Sequence, residues 1–256
     1  MLSDPGRVRT HNEDACAARP DLGAFVVCDG VGGAASGEVA SQLAADSFLE
    51  LMVKAREEQA PSEDGIAAGV EYANHLVYSQ SRKTASMRGM ATTMVALVFT
   101  PAAECSASVI PEPAGTVWIA NIGDSRCYRF TRSSEEGKIE QLTRDHSVVE
   151  EQVRAGVITR EQAEVSPIRN VITRAIGSDN EVAADIECLP AHPGDLYLLC
   201  SDGLTRDLSD TEIATILFSM PASDNESLAG ACQQLIDAAN EKGGGDNITC
   251  ILVYVG

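Results

Sequence analysis

The chain has 256 residues, of which 44% are hydrophobic and 22% are charged, and this composition excludes a disordered or fibrous protein. Its 38 acidic residues outnumber 19 lysines and arginines and give a net charge of −19 without any basic cluster, so we expect no nucleic-acid and no membrane partner. No apolar run approaches the ~18 residues of a membrane span, and the N-terminus MLSDPGRVRT lacks the apolar core of a signal peptide.

The first clear strand, AFVVC, ends at Asp29 and is followed by a helix that we predict from Ser36 to about Gln59. Ser36 is expected to cap this helix, because a serine side chain accepts hydrogen bonds from the first backbone N–H groups. A second helix is predicted from Ser62 to about Ser86, where apolar residues recur at helical spacing. Two amphipathic helices in succession need a shared apolar surface.

Short segments rich in β-branched and aromatic residues supply that surface as strands. They are residues 90–100, 116–122, 126–130, 181–189, 195–201 and 247–255. Because several follow one another without a helix between them, we expect antiparallel sheets rather than a doubly wound fold. Residues 101–115, rich in Ala, Pro and Ser, are expected to form a hairpin loop.

The segment from Ser147 to about Gly177 differs from the rest of the chain. Its pattern indicates short helices broken by Gly156 and Pro167 between two strands, which predicts a small mobile excursion from the core. Further along, helices are predicted at residues 210–220 and 226–242, and three consecutive glycines end the second one.

The eight cysteines lie mostly in apolar runs and include no CxxC pair, which favours buried free thiols over disulfides or a zinc site. This usage predicts a reducing, cytoplasmic setting. No linker interrupts the chain, so we expect a single domain over residues 1–256.

Four aspartates stand beside glycines at strand ends, namely Asp29, Asp124, Asp202 and Asp246. Such dipeptides are also common in tight turns, and for Asp124 a hairpin through ANIGDSRCYRF is an equally good interpretation. Asp29 and Asp202 are followed by no partner strand, so a turn does not explain them. If these ends meet, a cation has to neutralise the carboxylates, and hard oxygen ligands suit Mg²⁺ or Mn²⁺.

The N-terminal stretch RVRTHNEDA adds Arg9, Glu13 and Asp14. An acidic pair on a loop is more often simply solvated. Beside a metal site, however, an arginine offers the planar fork that binds phosphate oxygens in pairs. The residues taken alone therefore leave a phosphate-binding function open.

These motifs resemble a known family, the metal-dependent protein serine/threonine phosphatases of the PPM or type 2C class, in its compact bacterial form. The resemblance is carried, in the family's order and over nearly the whole chain, by RTHNEDA, VVCDGVGG, GMATTMVAL, ANIGDSRCYRF, LTRDHS, LLCSDGLTRDLSD and GGGDNITCILV. It implies an α+β fold, a four-layer α-β-β-α sandwich of two antiparallel sheets flanked by helices. It also implies a dinuclear metal centre in a cleft, with residues 147–177 as a flap beside it.

The resemblance assigns metal ligands position by position. Asp29 would bridge two Mn²⁺ or Mg²⁺ ions, and the Gly30 carbonyl would bind one of them. Asp202 and Asp246 would bind the other ion. Asp124, with Asp202, matches the third metal site of bacterial members.

The resemblance also assigns the surrounding residues. Glu13 and Asp14 would hold metal-bound waters, Asn247 would support the site, and Arg9 would grip the phosphate. A metal-activated water would then attack phosphorus in line, without a phosphoenzyme. The chain departs from the family at Val31, where many eukaryotic members have a histidine, and at Ser166, where the flap usually has one.

The favoured function is therefore a phosphatase acting on phosphoserine and phosphothreonine in proteins and opposing a serine/threonine kinase, and we expect a monomer. A second hypothesis is a catalytically weak regulator that uses the same fold to bind a phosphoprotein. A third is a two-metal nuclease or small-molecule phosphatase. Metal-dependent turnover, binding without turnover and a substrate panel would distinguish the three.

Overall fold

The computed structural model describes residues 1–31, 35–58, 61–101, 113–132, 137–221 and 224–256. Within these ranges the chain forms eleven strands and seven helices. The strands are β1 (Leu2–Asp4), β2 (Asp14–Arg19), β3 (Ala24–Val31), β4 (Ala91–Thr92), β5 (Met94–Pro101), β6 (Gly115–Ile122), β7 (Arg126–Arg132), β8 (Gly137–Gln141), β9 (Asp185–Ala191), β10 (Leu196–Cys200) and β11 (Ile248–Tyr254). The helices are α1 (Ala35–Glu58), α2 (Glu63–Ser81), α3 (Val148–Arg154), α4 (Arg160–Glu164), α5 (Asp202–Asp207), α6 (Asp210–Ser219) and α7 (Asn225–Glu241).

The strands form two sheets in which every pairing is antiparallel. The first sheet has the order β1-β11-β10-β7-β8. The second has the order β2-β3-β5-β6-β9, and the short β4 also pairs with β3. The predicted antiparallel α+β architecture is confirmed.

Three apolar clusters hold four layers together. Helices α1 and α2 pack on the second sheet through residues such as Phe48, Val70 and Met94. Helices α5 to α7 cover the first sheet in the same way. Between the sheets, Leu97 and Leu199 belong to a third buried cluster. Because both faces of the sheets are covered, every residue of β10 is buried, as expected for a strand between two apolar layers.

The link between β6 and β7 contradicts the hairpin interpretation of ANIGDSRCYRF. Strand β6 pairs with β5 and β9, whereas β7 pairs with β10 and β8 in the other sheet. The Gly123–Ser125 segment therefore crosses from one sheet to the other. Asp124 lies in this crossover, so it does not occupy a simple turn.

Several boundaries differ from the prediction. Helix α1 begins at Ala35, so Ser36 lies inside it and not at its cap. Helix α2 ends at Ser81 instead of Ser86, although it begins where it was predicted, after Ser62, whose side chain caps it by accepting from the Gly65 N–H. Strands β2 and β8 were not predicted, because DACAAR and GKIEQ contain few β-branched or aromatic residues.

The segment from Ser147 to Gly177 contains α3 and α4, separated by Gly156, as the sequence predicts. Ser147 caps α3, and Thr159 forms a capping box on α4 with Gln162. Most of the predicted loop at 101–115, and Gly32 and Gly33 of the first motif, lie outside the described residues.

The seven cysteines in the described ranges are free, and five of them are buried; Cys105 lies outside these ranges. Cys188 is exposed on β9 and Cys16 is half-buried, so the expectation of buried thiols is wrong for these two. Among the described helices, none is both long enough and apolar enough to cross a membrane.

Candidate metal centre

Five carboxylates from distant parts of the chain converge beside the ends of the two sheets. Asp29 is near the end of β3, and Asp14 begins β2 directly opposite it as its Cα partner. Asp202 begins α5 just after β10, and Asp246 lies two residues before β11. Asp124 is in the crossover between β6 and β7. The predicted meeting of these acidic residues is therefore present, and Asp14 joins them.

Mutual repulsion shows how close these carboxylates are. The pKa of Asp29 is raised well above its usual value, first by burial and then by the charges of Asp14, Asp202, Asp124 and Asp246. Burial also raises the pKa of Asp14 to about 7 and that of Asp124 to about 8, and in both cases the Asp202 charge adds to the effect. Ionised carboxylates this close together are costly to bury, so a cation among them would stabilise the cluster.

Two threonines fix the position of Asp29. The Asp29 N–H donates to Thr93 Oγ1 at 2.9 Å, and the Asp29 carbonyl accepts from the Thr93 N–H and the Thr92 hydroxyl, both at 2.8 Å. Thr93 Oγ1 also lies 2.7 Å from the hydroxyl of Ser125, which follows Asp124. The motif GMATTMVAL was recognised in the sequence, but this supporting role of its two threonines was not.

Close backbone approach explains why glycine follows two of the aspartates. A Cβ atom on Gly30 would lie 2.4 Å from the Gly37 carbonyl oxygen and 2.5 Å from that of Glu13. A Cβ atom on Gly203 would lie 2.0 Å from the Asn247 carbonyl oxygen. No side chain fits at such distances, so these Asp-Gly pairs are required by packing around the cluster and not by a tight turn.

Asn247 ties the N-terminal segment to the cluster. Its Nδ2 donates to the carbonyls of Pro5 at 3.0 Å and His11 at 2.9 Å, and its Oδ1 accepts from the Glu13 N–H at 2.8 Å. The Asn247 N–H in turn donates to Asp246 Oδ1 at 2.9 Å. The side chain is 4% exposed, and this buried set of bonds fits the supporting role that was expected for Asn247.

His146 has a structural role beside the cluster. Its ring nitrogen Nδ1 accepts from the Gly123 N–H at 3.1 Å, and its backbone N–H donates to the Gly123 carbonyl at 2.9 Å. These bonds hold the crossover that carries Asp124. The Asp185 carboxylate lies 3.2 Å from the other ring nitrogen.

Two arginines contact the carboxylates. Arg9 Nε lies 3.0 Å from Asp246 Oδ1, and its side chain is 52% exposed. The Arg206 guanidinium pairs with both Asp202 Oδ2 and Asp246 Oδ2 and is only 27% exposed. Arg206 was not identified from the sequence, although its place four residues after Asp202 puts both side chains on one face of a helix.

The donor set suits a divalent metal ion. Among the described residues, the buried oxygens Asp14 Oδ1 and Asp202 Oδ1 have no hydrogen-bond partner. Carboxylate oxygens are the ligands that Mg²⁺ and Mn²⁺ prefer. In the described ranges, however, no group of three His, Cys, Asp or Glu side chains is positioned to hold a metal ion. The Asp202 and Asp246 oxygens that would do so are held by Arg206.

A groove of about 1290 Å³ extends from the cluster between the first sheet and the segment 147–177. Asp124, Asp202 and Arg206 line its inner end, and residues of α3 and α4 form a wall. In this groove Arg126 donates two bonds to Asp145, Nε to Oδ1 at 2.9 Å and a terminal nitrogen to Oδ2 at 2.7 Å. The predicted excursion therefore borders the candidate site.

Comparison with known proteins identifies the family to which the sequence is similar. The family model described as "Protein phosphatase 2C" matches residues 7–237. The chain is 33% identical to the serine/threonine phosphatase stp of Listeria welshimeri over 98% of this chain and 93% of that protein. It is 34% identical to the serine/threonine protein phosphatase PstP of Mycobacterium tuberculosis, over 99% of this chain and 44% of that longer protein.

Solved structures show the same similarity. The crystal structure of Mycobacterium tuberculosis PstP superposes with a TM-score of 0.82 at 32% identity, covering 99% of this chain and 96% of that one. The catalytic domain of PstP in complex with two manganese ions gives a TM-score of 0.79 at 31% identity, covering 100% and 96%. These similarities extend over the whole described fold.

Proposed function

The chain belongs to the protein phosphatase 2C family, and on this premise we propose that it removes phosphate from serine and threonine residues of proteins with divalent metal ions held by its carboxylate cluster. One observation carries the proposal. Asp29, Asp124, Asp202 and Asp246, which are far apart in the chain, converge with Asp14 in one mostly half-buried cluster, in which a cation would relieve the repulsion between the carboxylates.

The metal ligands follow from this cluster. We assign Asp29 and the Gly30 carbonyl to one ion, and Asp29, Asp202 and Asp246 to the other. Asp124 and Asp202 are candidates for a third. The unpartnered oxygen of Asp202 and the preference of Mn²⁺ and Mg²⁺ for carboxylates support the assignment. A related phosphatase, PstP, was crystallised with two manganese ions.

When bound, the ions supply Lewis-acid activation of a water and of the phosphoryl oxygens. The residues of the chain have separate tasks around this chemistry. Arg9 is exposed on the N-terminal loop beside Asp246, and its planar guanidinium binds two phosphate oxygens. Asp14 and Glu13 orient water, and Asn247 holds the strand that carries them.

Substrate proteins approach along the groove. Its wall is the segment from Ser147 to Gly177, which we assign as a flap of a single catalytic domain. Two of the clustered carboxylates, Asp124 and Asp202, line the groove. A serine/threonine kinase would supply these substrates, because its product is the phosphomonoester that the site hydrolyses.

The experiment is a hydrolysis assay with a phosphothreonine peptide and with p-nitrophenyl phosphate in Mn²⁺ and in excess chelator. Loss of a residue that only hydrogen-bonds to a metal ligand lowers activity roughly 10- to 100-fold. Asp29→Asn and Asp246→Asn change the ligands themselves, so each should reduce kcat/KM by more than that. Asp237→Asn on the exposed face of α7 is the matched control and should retain full activity. Undiminished turnover in chelator would overturn the proposal.

A further inference from the structure

Arg206 has an unusual position for a charged side chain in a metal-dependent enzyme. It is on α5, four residues after Asp202, and its guanidinium lies between the carboxylates of Asp202 and Asp246. Asp202 is 8% exposed and Asp246 has a side-chain exposure of only 15%, so the contact is largely withdrawn from water. A guanidinium in this place is the cation that the acidic cluster requires.

We propose that Arg206 is a built-in counter-ion of the carboxylate cluster, which occupies a metal position in the metal-free protein and has to be displaced when a divalent ion binds. This inference rests on the proposed function, since it uses the same ligands Asp202 and Asp246. It goes beyond that function because it assigns control over metal affinity to a single residue, Arg206.

Geometry makes the two cations competitors. Arg206 uses Oδ2 of Asp202 and Oδ2 of Asp246, and these residues are two of the three ligands assigned to one ion. A metal at coordination distance from both carboxylates and a guanidinium between them would be two positive charges only a few ångströms apart. Their repulsion in a partly buried site is stronger than in water, so one of them has to leave.

A neighbouring carboxylate offers the displaced side chain another partner. Arg206 lines the groove together with Asp124 and Asp210, and the charge of Asp124 already acts on it. A rotation about the long arginine side chain takes the guanidinium from Asp246 toward the Asp124 side without moving α5. Among the described residues, Asp202 Oδ1 has no hydrogen-bond partner, so it is available to an ion before Arg206 leaves.

The test is calorimetric titration of Mn²⁺ into the metal-free protein, together with thermal unfolding in chelator and in Mn²⁺. We compare wild type with Arg206→Gln, which removes the charge, and with Arg206→Lys, which keeps it but loses the planar fork. Arg129→Gln is the matched control. It removes a groove arginine that pairs with Glu140 and lies away from the cluster.

For Arg206→Gln we expect Mn²⁺ to bind about tenfold more tightly, a change that corresponds to about 1.4 kcal/mol. In chelator this variant should unfold at a lower temperature than wild type, and its Tm should rise more on addition of Mn²⁺. Arg206→Lys should fall between the two proteins, and it remains informative if the glutamine variant does not fold. Arg129→Gln should bind Mn²⁺ as wild type does.

Weaker or unchanged Mn²⁺ affinity in both Arg206 variants would overturn the inference. If those variants and wild type still hydrolyse phosphopeptides in Mn²⁺, the proposed function stands and only the counter-ion role is lost. If unchanged Mn²⁺ affinity is accompanied by weaker binding of inorganic phosphate, Arg206 is a substrate-binding residue. If none of the proteins binds Mn²⁺, the metal-dependent function fails as well.

Discussion

Asp14 lies directly opposite Asp29 on neighbouring antiparallel strands, and its charge is the largest contribution after burial to the raised pKa of the Asp29 carboxyl. Directly opposed residues on one sheet are close enough to interact strongly, and two like charges there are destabilising. The second sheet thus places two acidic side chains next to each other, and the packing of the sheet does not require them. Because of this pair, we expect the stability of the metal-free protein to depend on pH.

Asp14→Asn should show this sensitivity. The folded-state pKa of Asp14 is about 7 and its ordinary value is 3.8, so the folded chain binds this proton more tightly than the unfolded chain. The resulting stability is fully present below pH 3.8 and is lost as the pH rises through 7. Relative to wild type, metal-free Asp14→Asn should therefore gain stability as the pH rises from 5 to 7, by at most about 1.4 kcal/mol per pH unit, and the difference should level off above pH 7.

Chemical denaturation in chelator at several pH values measures that difference. Asp237→Asn, an exposed residue of α7, is the control for a change of charge without burial. In saturating Mn²⁺ the order should reverse, because the metal binds the ionised carboxylates of the wild-type cluster. A difference between Asp14→Asn and wild type that is flat from pH 5 to 8 would contradict the explanation.

The sequence predicts the parts of this site that depend on local pattern. Asp29, Asp202 and Asp246 were identifiable because each stands beside a glycine at the end of an apolar segment, and in the structure a Cβ atom on Gly30 or Gly203 would clash with backbone. Such close packing requires a glycine, and the glycine is visible in the sequence. The sequence pattern does not reveal which strands pair.

Non-local choices explain what the sequence missed. Gly-Asp-Ser after β6 has the composition of a tight turn, and only the sheet partners of β6 and β7 show that it crosses between sheets. Thr93 supports Asp29 from 64 positions away, and no periodicity predicts such a bond. Arg206 was hidden because α5 is only six residues long and directly follows a strand, so the helical spacing from Asp202 was not visible.

Arg9→Gln tests the phosphate-binding assignment. Arg9 is exposed, and its guanidinium pairs with Asp246 at the edge of the cluster, where it can turn toward a substrate. A hydrogen bond to a charged group contributes about 1.5–3 kcal/mol, which corresponds to a loss in kcat/KM of about tenfold to a hundredfold. Arg9→Lys should recover part of it, because a lysine keeps the charge without the fork.

Steady-state kinetics with a phosphopeptide separates these effects, and Mn²⁺ titration shows whether the metal site is intact. Arg7→Gln, two residues earlier and also exposed, is the matched control and should behave as wild type. A normal kcat/KM for Arg9→Gln would mean that the phosphate is held by another group.

Asn247→Ala should destabilise the protein and weaken metal binding together. The substitution leaves the Pro5 and His11 carbonyls and the Glu13 N–H without their buried partner. An unsatisfied buried group costs about 1–3 kcal/mol and a part-buried one costs less, so we expect a loss in the free energy of unfolding of about 2 kcal/mol from the three groups together. Mn²⁺ affinity should fall as well, because the freed segment carries Glu13 and Asp14.

Urea denaturation and Mn²⁺ calorimetry measure the two effects on the same variant. Asn247→Asp should do no better than alanine, because it replaces the donor facing two carbonyls with an acceptor and adds a negative charge beside Asp246. Asn225→Ala at the exposed start of α7 is the control and should stay within about 0.5 kcal/mol of wild type. If Asn247→Ala loses stability but binds Mn²⁺ normally, the N-terminal segment does not organise the metal centre, and the roles assigned to Glu13 and Asp14 are wrong.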